Sequence, residues 1–200
     1  GKREYLARII RQVNRMDELL RTLFSYARPQ SPLRRPHKLQ DIINEVKGLM
    51  LQRFELASVR FEEIYAEDLP LIQVDFHQTQ QVFINLFLNA IDAMNGGGSL
   101  TVHARPATTP PSRGDRRGKR YPEAQRRGQF AEVRVSDTGE GISRENMQAI
   151  FDPFFTTKPQ GSGLGLSIVY RIIEEHRGNI HVESEPGKGT TFSLFLPVEE

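Results

Sequence analysis

The chain contains no cysteine and no long hydrophobic run. Without cysteine it cannot form a disulfide scaffold, a thiolate zinc site or an iron–sulfur cluster, and it cannot use a cysteine nucleophile. No apolar stretch approaches the roughly 20 residues that a membrane-spanning helix needs. The first residues, GKREYLARIIRQ, also lack the pattern of a signal peptide. We therefore expect a soluble chain with no membrane segment of its own, and the lack of cysteine fits a reducing compartment.

Positive charge is concentrated in one segment. The chain has 27 Lys and Arg against 25 Asp and Glu, a formal net charge of +2. Residues 105–129 hold eight of these bases and two of the acids, a net +6, which leaves −4 for the other 175 residues. Because the rest of the chain is net negative, this charge distribution argues against nucleic acid as a partner. This basic insert is rich in Pro, Gly and Arg, which predicts a mobile loop; the alternative is an electrostatic dock for an acidic protein surface or anionic lipid.

A helix is predicted over residues 3–28. Apolar residues recur along it in steps of three and four, which is typical of a bundle helix, and Pro29 disfavours helix in the residue before it. The seam comprises Leu6, Ile9, Val13, Met16, Leu20, Leu23 and Ala27. Pro29, Pro32 and Pro36 then predict a stiff linker over residues 29–37. A helix this apolar on one side needs a partner helix, which this chain does not supply.

Residues 38–200 predict an α+β domain, with one mixed sheet and helices on one face. Helices are expected at 39–57, 76–94, near 143–149 and at 163–177. Strands are expected at 59–65, 71–74, 99–104, 130–136, 179–184 and 190–196. Asp75, followed by Gln78 three residues on, is expected to cap the second helix.

Two groups of residues in this domain could bind a flat, phosphorylated ligand. Asn85 and Asn89 lie four residues apart on a strongly apolar helix, where amides are costly unless satisfied. They are either internal caps or neutral oxygen ligands for Mg²⁺. The sequence DTGEGI, which begins at Asp137, combines a carboxylate that can accept from an exocyclic amino group with two glycines that permit close approach. Its alternative is an ordinary Asp-Gly turn.

Two further groups follow. The sequence FDPFFTTK, which ends at Lys158, is either ordinary core or a hydrophobic anchor beside a loop whose lysine meets phosphate. The sequence GSGLGLSIVYRI, which begins at Gly161, places three glycines before an apolar helix, whose N-terminal amides suit phosphate. The preceding strand of a dinucleotide-binding βαβ unit is missing, as is a Walker A pattern, so both of those folds are excluded.

Together with GKGTTF at 187–192, the order and spacing of these motifs resemble the N, G1, F, G2 and G3 boxes of sensor histidine kinases. That catalytic domain belongs to the superfamily shared with gyrase, mismatch-repair and heat-shock chaperone ATPases. The resemblance covers residues 38–198 and implies a two-layer α/β sandwich of the Bergerat type. The helix at 3–28 resembles the second helix of the dimerisation and phosphotransfer hairpin. The short lid between Phe155 and Gly161 resembles the nitrogen-regulatory and metal- or metabolite-responsive branch.

The resemblance implies a site for ATP and Mg²⁺. Asn89 would hold Mg²⁺, Asn85 would line the phosphate side, and these two amides would be the catalytic pair. Asp137 would bind the adenine amino group, with Thr190 supporting it through water. Gly139 and Gly141 would border the purine. The implied ATP-binding residues are Asn85, Asn89, Asp92, Asp137, Gly139, Gly141, Ile142, Lys158, Gly161, Ser162, Gly163, Leu164, Gly165, Leu166 and Thr190.

Two departures refine this implication. Asn85 stands where the superfamily's ATPases usually place a general-base Glu, and an amide cannot deprotonate water, which favours a kinase over an ATPase. No histidine is followed by the acidic residue and Asn-Pro of a phosphoacceptor, so we expect all five to be surface or core residues. They are His37, His77, His103, His176 and His181.

The implied function is that of a protein-histidine kinase fragment of a two-component system. It would donate the γ-phosphoryl group of Mg²⁺-ATP to a histidine outside this chain, for transfer to an Asp of a response regulator receiver domain. The helix at 3–28 would pair with a second protomer. We expect a cytoplasmic location, either free or as the cytoplasmic part of a membrane-anchored sensor. The alternatives are a protein serine kinase of the anti-sigma-factor type and a non-catalytic, nucleotide-gated binding module.

Overall fold

The computed structural model describes residues 31–108, 129–158 and 161–198. The helix predicted at 3–28 and the greater part of the basic insert lie outside the described residues, so both remain predictions. Within the described residues, no helix combines the length and the apolar character that crossing a membrane would require.

The described chain folds into three α-helices and seven strands, close to the expected positions. They are β1 (Arg35–His37), α1 (Leu39–Leu56), β2 (Val59–Tyr65), β3 (Ile72–Val74), α2 (Phe76–Ala93), β4 (Gly98–Ala107), β5 (Phe130–Asp137), α3 (Gly165–Glu175), β6 (Asn179–Glu185) and β7 (Gly189–Pro197). The short helix expected near 143–149 is a single 3₁₀ turn, Asn146–Gln148.

Five strands form a mixed sheet in the order β2-β4-β5-β7-β6. β2 and β4 are parallel and are joined through α2, whereas the other pairs are antiparallel. Ala131, Val133 and Val135 are buried on the side of β5 that faces the helices, and the residues between them point the other way. The predicted α+β class, with a mixed sheet and helices on one face, is confirmed.

The core lies between this sheet and the helices. Along α2, Phe83 and Phe87 are completely buried. Phe54 of α1 stacks on Phe61 of β2, with ring centroids 5.2 Å apart. The edge of Phe61 also meets Phe87 at 5.3 Å, so the three rings fasten α1, α2 and β2 together. This packing holds α2 rigidly against the sheet and therefore fixes where its polar face points.

The C-terminal part of the predicted linker forms a strand that the sequence did not predict. β1 pairs antiparallel with β3, with Arg35 opposite Val74 and His37 opposite Ile72. Pro36 is tolerated because each strand of a two-stranded sheet has an open edge, towards which a missing N–H can point. The linker is therefore fastened to the domain immediately before α1.

Candidate functional site

The two asparagines of α2 face the N-terminal end of α3. A Cβ atom added to Gly165, the first residue of α3, would lie 3.4 Å from Asn85 Oδ1 and 3.9 Å from Asn89 Nδ2. Both asparagines are half-buried. A glycine at this position therefore leaves open the space between the two amides and the first turn of α3.

That end of α3 is built to leave backbone amides available. Leu164, the N-cap residue, is aliphatic, so its side chain cannot accept from them, and it is only 2% exposed. Gly163, at φ +69°, adopts a left-handed conformation, and a Cβ there would overlap the backbone of Phe154. Ser162 Oγ accepts the Leu164 N–H at 3.4 Å. Helix N-terminal amides and the positive end of the helix dipole together attract anions such as phosphate.

Lys158 occupies the same corner. Its Nζ donates to Asp92 Oδ2 at 2.8 Å and to Asn89 Oδ1 at 3.4 Å. A carboxylate oxygen and an amide oxygen that share one cation are the donor types that Mg²⁺ prefers. Within the described residues, no cluster of three His, Cys, Asp or Glu could hold a metal alone. The donor set therefore fits Mg²⁺, which the oxygens of Asn89 and Asp92 would hold.

Asp137 ends β5 with its carboxylate oriented by backbone amides. Its Oδ1 accepts the N–H groups of Gly139 at 2.8 Å and Thr190 at 3.3 Å. Burial raises the pKa of Asp137 above its usual value, although these two amides and the charge of Lys158 oppose the shift. No described group donates to its Oδ2, which leaves this oxygen as an acceptor for a ligand.

A chain of hydroxyl groups stands behind this carboxylate. Thr190 is buried, and its Oγ1 lies 3.0 Å from Ser184 Oγ. Ser184 Oγ donates to the Gly189 carbonyl at 2.9 Å and accepts the Ile142 N–H at 2.8 Å. Because the Ser184 proton is committed to Gly189, the Thr190 hydroxyl donates to Ser184. Sequence analysis missed Ser184; its signal was a polar residue at a position of β6 that should face the core.

The glycines of DTGEGI are required by protein packing. A Cβ on Gly139 would lie 2.7 Å from the Ala93 Cβ at the end of α2. Gly141 has φ +71°, and a Cβ there would overlap the carbonyl of Glu185. The expected close approach is therefore present, but the neighbour that the structure describes is protein backbone. The loop passes between the C-terminal end of α2 and the β6–β7 turn.

The structure thus gathers the implied residues into two adjoining groups. Asn85, Asn89, Asp92, Lys158 and Gly165 form the first group, at the junction of α2 and α3. Asp137, Gly139, Ile142 and Thr190 form the second, at the ends of β5 and β7. The loop after Asp137 joins the two groups, because the Glu140 N–H donates to the Ala93 carbonyl at the end of α2 at 3.0 Å. Leu164 contributes only backbone because its side chain belongs to the core, and Leu166 packs against that core.

A separate concavity of about 880 Å³ lies on the opposite face of the sheet. Its charged side chains neutralise one another: Glu132 meets Arg105 at 2.5 Å and Arg134 at 3.6 Å. It includes none of the implied ATP-binding residues. Because these ion pairs neutralise its positive charges, the described part of this concavity is a poor phosphate site.

Comparison with known proteins places this architecture in a family. Residues 74–200 match the family described as histidine kinase-, DNA gyrase B- and HSP90-like ATPases. The chain is 32% identical over 199 residues to the sensor histidine kinase ZraS of Escherichia coli strain K12, covering 99% of this chain and 38% of that protein. The chain thus spans about two fifths of that relative's length.

Solved structures of histidine kinases have the same fold as this chain. The catalytic domain of histidine kinase ThkA superposes with a TM-score of 0.66 at 31% identity, covering 82% of this chain and 95% of that one. ThkA in complex with the response regulator protein TrrA gives a TM-score of 0.73 over 98% of this chain and 51% of that one. Its 24% identity supports the fold alone. The chain therefore belongs to the histidine kinase-, DNA gyrase B- and HSP90-like ATPases, and its ATP-binding domain is of the sensor histidine kinase type.

Proposed function

We propose that this chain binds Mg²⁺-ATP at the two adjoining groups and donates the γ-phosphoryl group to a histidine outside the chain. One arrangement carries the proposal. A Cβ built on Gly165 would lie 3.4 Å from Asn85 Oδ1, and Lys158 Nζ donates to Asn89 Oδ1 at 3.4 Å. The loop that follows Asp137 contacts the end of the same helix α2, where the Glu140 N–H donates to the Ala93 carbonyl at 3.0 Å. A phosphate-binding helix terminus and a buried hydrogen-bond acceptor for a base thus adjoin one another.

Asp137 is the element that would select adenine. Its carboxylate, held by the Gly139 and Thr190 amides, can accept a hydrogen bond from an exocyclic amino group. Guanine presents a carbonyl oxygen at the equivalent ring position, where it would oppose the carboxylate. An ordered water between the base and the Thr190 hydroxyl would complete the recognition. We therefore expect adenine nucleotides to bind far more tightly than guanine nucleotides.

The phosphates would lie over the first turn of α3. Lys158 would neutralise phosphate charge, and the amides after Leu164 would bind oxygens directly. Bound Mg²⁺ would supply further charge neutralisation on the phosphates, with Asn89 as its protein ligand and Asp92 close by. These residues bind and orient, and they leave little covalent chemistry to the protein. Asn85 cannot remove a proton from water, so transfer to a protein acceptor is favoured over hydrolysis.

The acceptor histidine would come from outside this chain. His176 is only 1% exposed and hydrogen-bonded at both ring nitrogens, so it is unsuited to attack a phosphoryl group. The acceptor helix would pair with the helix at 3–28 and with a second protomer. ThkA has been solved with a response regulator protein, and we propose that a receiver domain Asp likewise takes the phosphoryl group here. A cytoplasmic location follows from this role.

The first test is a calorimetric titration of the chain with ADP and a non-hydrolysable ATP analogue, with and without Mg²⁺. We expect Asp137→Asn to lose adenine nucleotide generally and Asn89→Ala to lose mainly the Mg²⁺-dependent part. Asp68→Asn and Asn95→Ala are matched controls, since both residues are exposed and lie outside the two groups. A folded wild-type chain that binds no nucleotide would overturn the proposal.

A second test addresses the acceptor. An isolated dimerisation hairpin that carries a phosphoacceptor histidine is added to the chain with labelled ATP. Acid-labile label on the hairpin supports phosphotransfer to histidine. Nucleotide binding without transfer would support a nucleotide-gated module, and acid-stable phosphoserine on a partner would support the serine-kinase alternative.

A further inference from the structure

His176, at the C-terminal end of α3, is locked by two hydrogen bonds. The Asp75 N–H donates to His176 Nε2 at 2.8 Å, so this nitrogen must be unprotonated. Nδ1 therefore carries the proton and donates to the Ile172 carbonyl at 2.7 Å. The ring is 1% exposed and has one permitted tautomer. The contact joins residues 101 positions apart in the sequence.

Asp75 connects the same point to two other elements. Its Oδ1 accepts the Gln78 N–H at 3.0 Å and so caps α2. Its Oδ2 accepts the Leu33 N–H at 2.9 Å, which ties down the linker before β1. Burial raises the pKa of Asp75, but these two amide bonds, together with the His77 amide and the nearby His176 ring, outweigh that effect and hold the pKa below its usual value. The carboxylate is therefore ionised and able to accept both bonds near neutral pH.

Both helices of the candidate site run from this point towards the first group of residues, at the junction of α2 and α3. α2 extends from Asp75 to the two asparagines, and α3 extends from His176 back to Gly165. The helices are consequently antiparallel, and the shorter α3 extends from the start of α2 to its two asparagines. A helix transmits displacement along its axis because its hydrogen-bonded backbone is stiff. Movement of the first turn of α3 towards a bound phosphate would therefore act on the Asp75–His176 contact.

We propose that the Asp75–His176 contact couples nucleotide binding to how tightly the linker residues 31–37 are held against the domain. This inference rests on the proposed function, because it requires nucleotide binding at α3. His176 and Asp75 would not contact the nucleotide and are positioning residues. They lie at the ends of α3 and α2 that are farther from the first group of residues. Since the linker follows the predicted bundle helix, the contact lies on the route between that helix and the site.

The experiment measures amide hydrogen exchange at Leu33 and Asp75 by NMR on the full chain, with and without saturating Mg²⁺-ADP. In wild type we expect nucleotide to slow both amides by about fivefold or more, the lower end of typical allosteric coupling. In His176→Leu, which has no acceptor for the Asp75 amide, the nucleotide effect should disappear. In His176→Gln the side-chain oxygen can replace Nε2 as acceptor, and the effect should be retained. His103→Gln, on the opposite face of the sheet, is the matched control.

Reciprocity provides a second, independent measurement, should His176→Leu fail to fold. Leu33→Pro removes the N–H that Asp75 Oδ2 accepts, whereas Leu33→Ala keeps it, and the Leu33 side chain is exposed. We expect Leu33→Pro, but not Leu33→Ala, to weaken ADP binding severalfold. Nucleotide binding without any change at Leu33 and Asp75 would overturn the inference and leave the proposed function standing. A His176→Leu variant that responds like wild type would also overturn it. Absence of nucleotide binding would overturn both.

Discussion

At the scale of single residues, burial and backbone amides together determine the pKa values of the buried titratable side chains. Asp137 shows the balance: burial raises its pKa, while two backbone N–H groups and Lys158 work against that effect. Such a carboxylate is poised to accept a hydrogen bond because, among the described residues, donors reach only one of its oxygens. His176 is the buried counterpart on the far end of α3, where a neutral ring serves as both donor and acceptor.

The ring of His176 predicts a pH dependence of stability. Burial lowers its pKa below the usual value, outweighing the Ile172 carbonyl and the Asp75 and Glu175 carboxylates, while Arg34 also lowers it. The unfolded chain therefore binds a proton more readily than the folded one, and stability must fall as pH drops below the unfolded pKa of about 6.5. We expect the melting temperature of wild type to fall more between pH 7.5 and 5.5 than that of His176→Gln. Parallel curves for the two proteins would contradict this assignment.

At the scale of elements, two glycines at the start of α3 are under different structural constraints. Gly163 has φ +69° and presses against the Phe154 backbone, so a Cβ there would clash. Gly165 faces open space beside Asn85, where a Cβ at 3.4 Å would make ordinary contact. The fold requires the first glycine, whereas the second leaves space that the proposed phosphate site would use.

Alanine substitutions should separate these two requirements. Gly163→Ala should lower the melting temperature and abolish nucleotide binding, since a left-handed non-glycine residue costs roughly 1–2 kcal/mol before any clash. Gly165→Ala should keep or raise the melting temperature, because alanine is favoured over glycine in a helix by about 1 kcal/mol. It should nevertheless weaken nucleotide binding, because its methyl group projects between α3 and Asn85. Thermal melts and ADP titrations of both variants check this; unchanged affinity in Gly165→Ala would remove phosphates from that space.

At the scale of the whole molecule, the described ends of the basic insert, Ala107 and Phe130, lie at the end of β4 and β5 opposite to Asp137. The insert leaves the sheet between β4 and β5, whose register pairs Ala107 with Phe130. The concavity beside its ends lies on the face away from the helices. Its ion pairs, such as Arg105 with Glu132, are directed away from Asp137 and Lys158.

Removing the insert should therefore leave nucleotide binding intact. Replacing residues 108–129 by Asn-Gly provides a two-residue hairpin turn that fits the observed pairing of β4 and β5. We expect the ADP dissociation constant to stay within about twofold, as is usual for changes at distant, independent sites. A large loss of affinity in a chain with an unchanged melting temperature would show that the insert contributes to the pocket.

Sequence patterns predicted the local features well. The helical spacing of Asn85 and Asn89 and the cap at Asp75 depend on residues a few positions apart, so their placement could be read directly. The strand at Arg35–His37 could not, because three prolines mark a linker and its pairing depends on β3. The short helix near 143–149 became a 3₁₀ turn, and Ser184 was overlooked, because hydroxyl contacts across strands leave little trace in sequence.

The motifs thus determined the elements, the α+β class and the family, since periodicity, capping and glycine spacing are local properties of a chain. The tertiary structure decided the rest. It showed that Gly139 and Gly141 meet protein backbone, that Lys158 lies on Asn89 and Asp92, and that His176 joins Asp75. Such contacts join residues tens of positions apart, and the packing of helices on the sheet, rather than any local preference, brings them together.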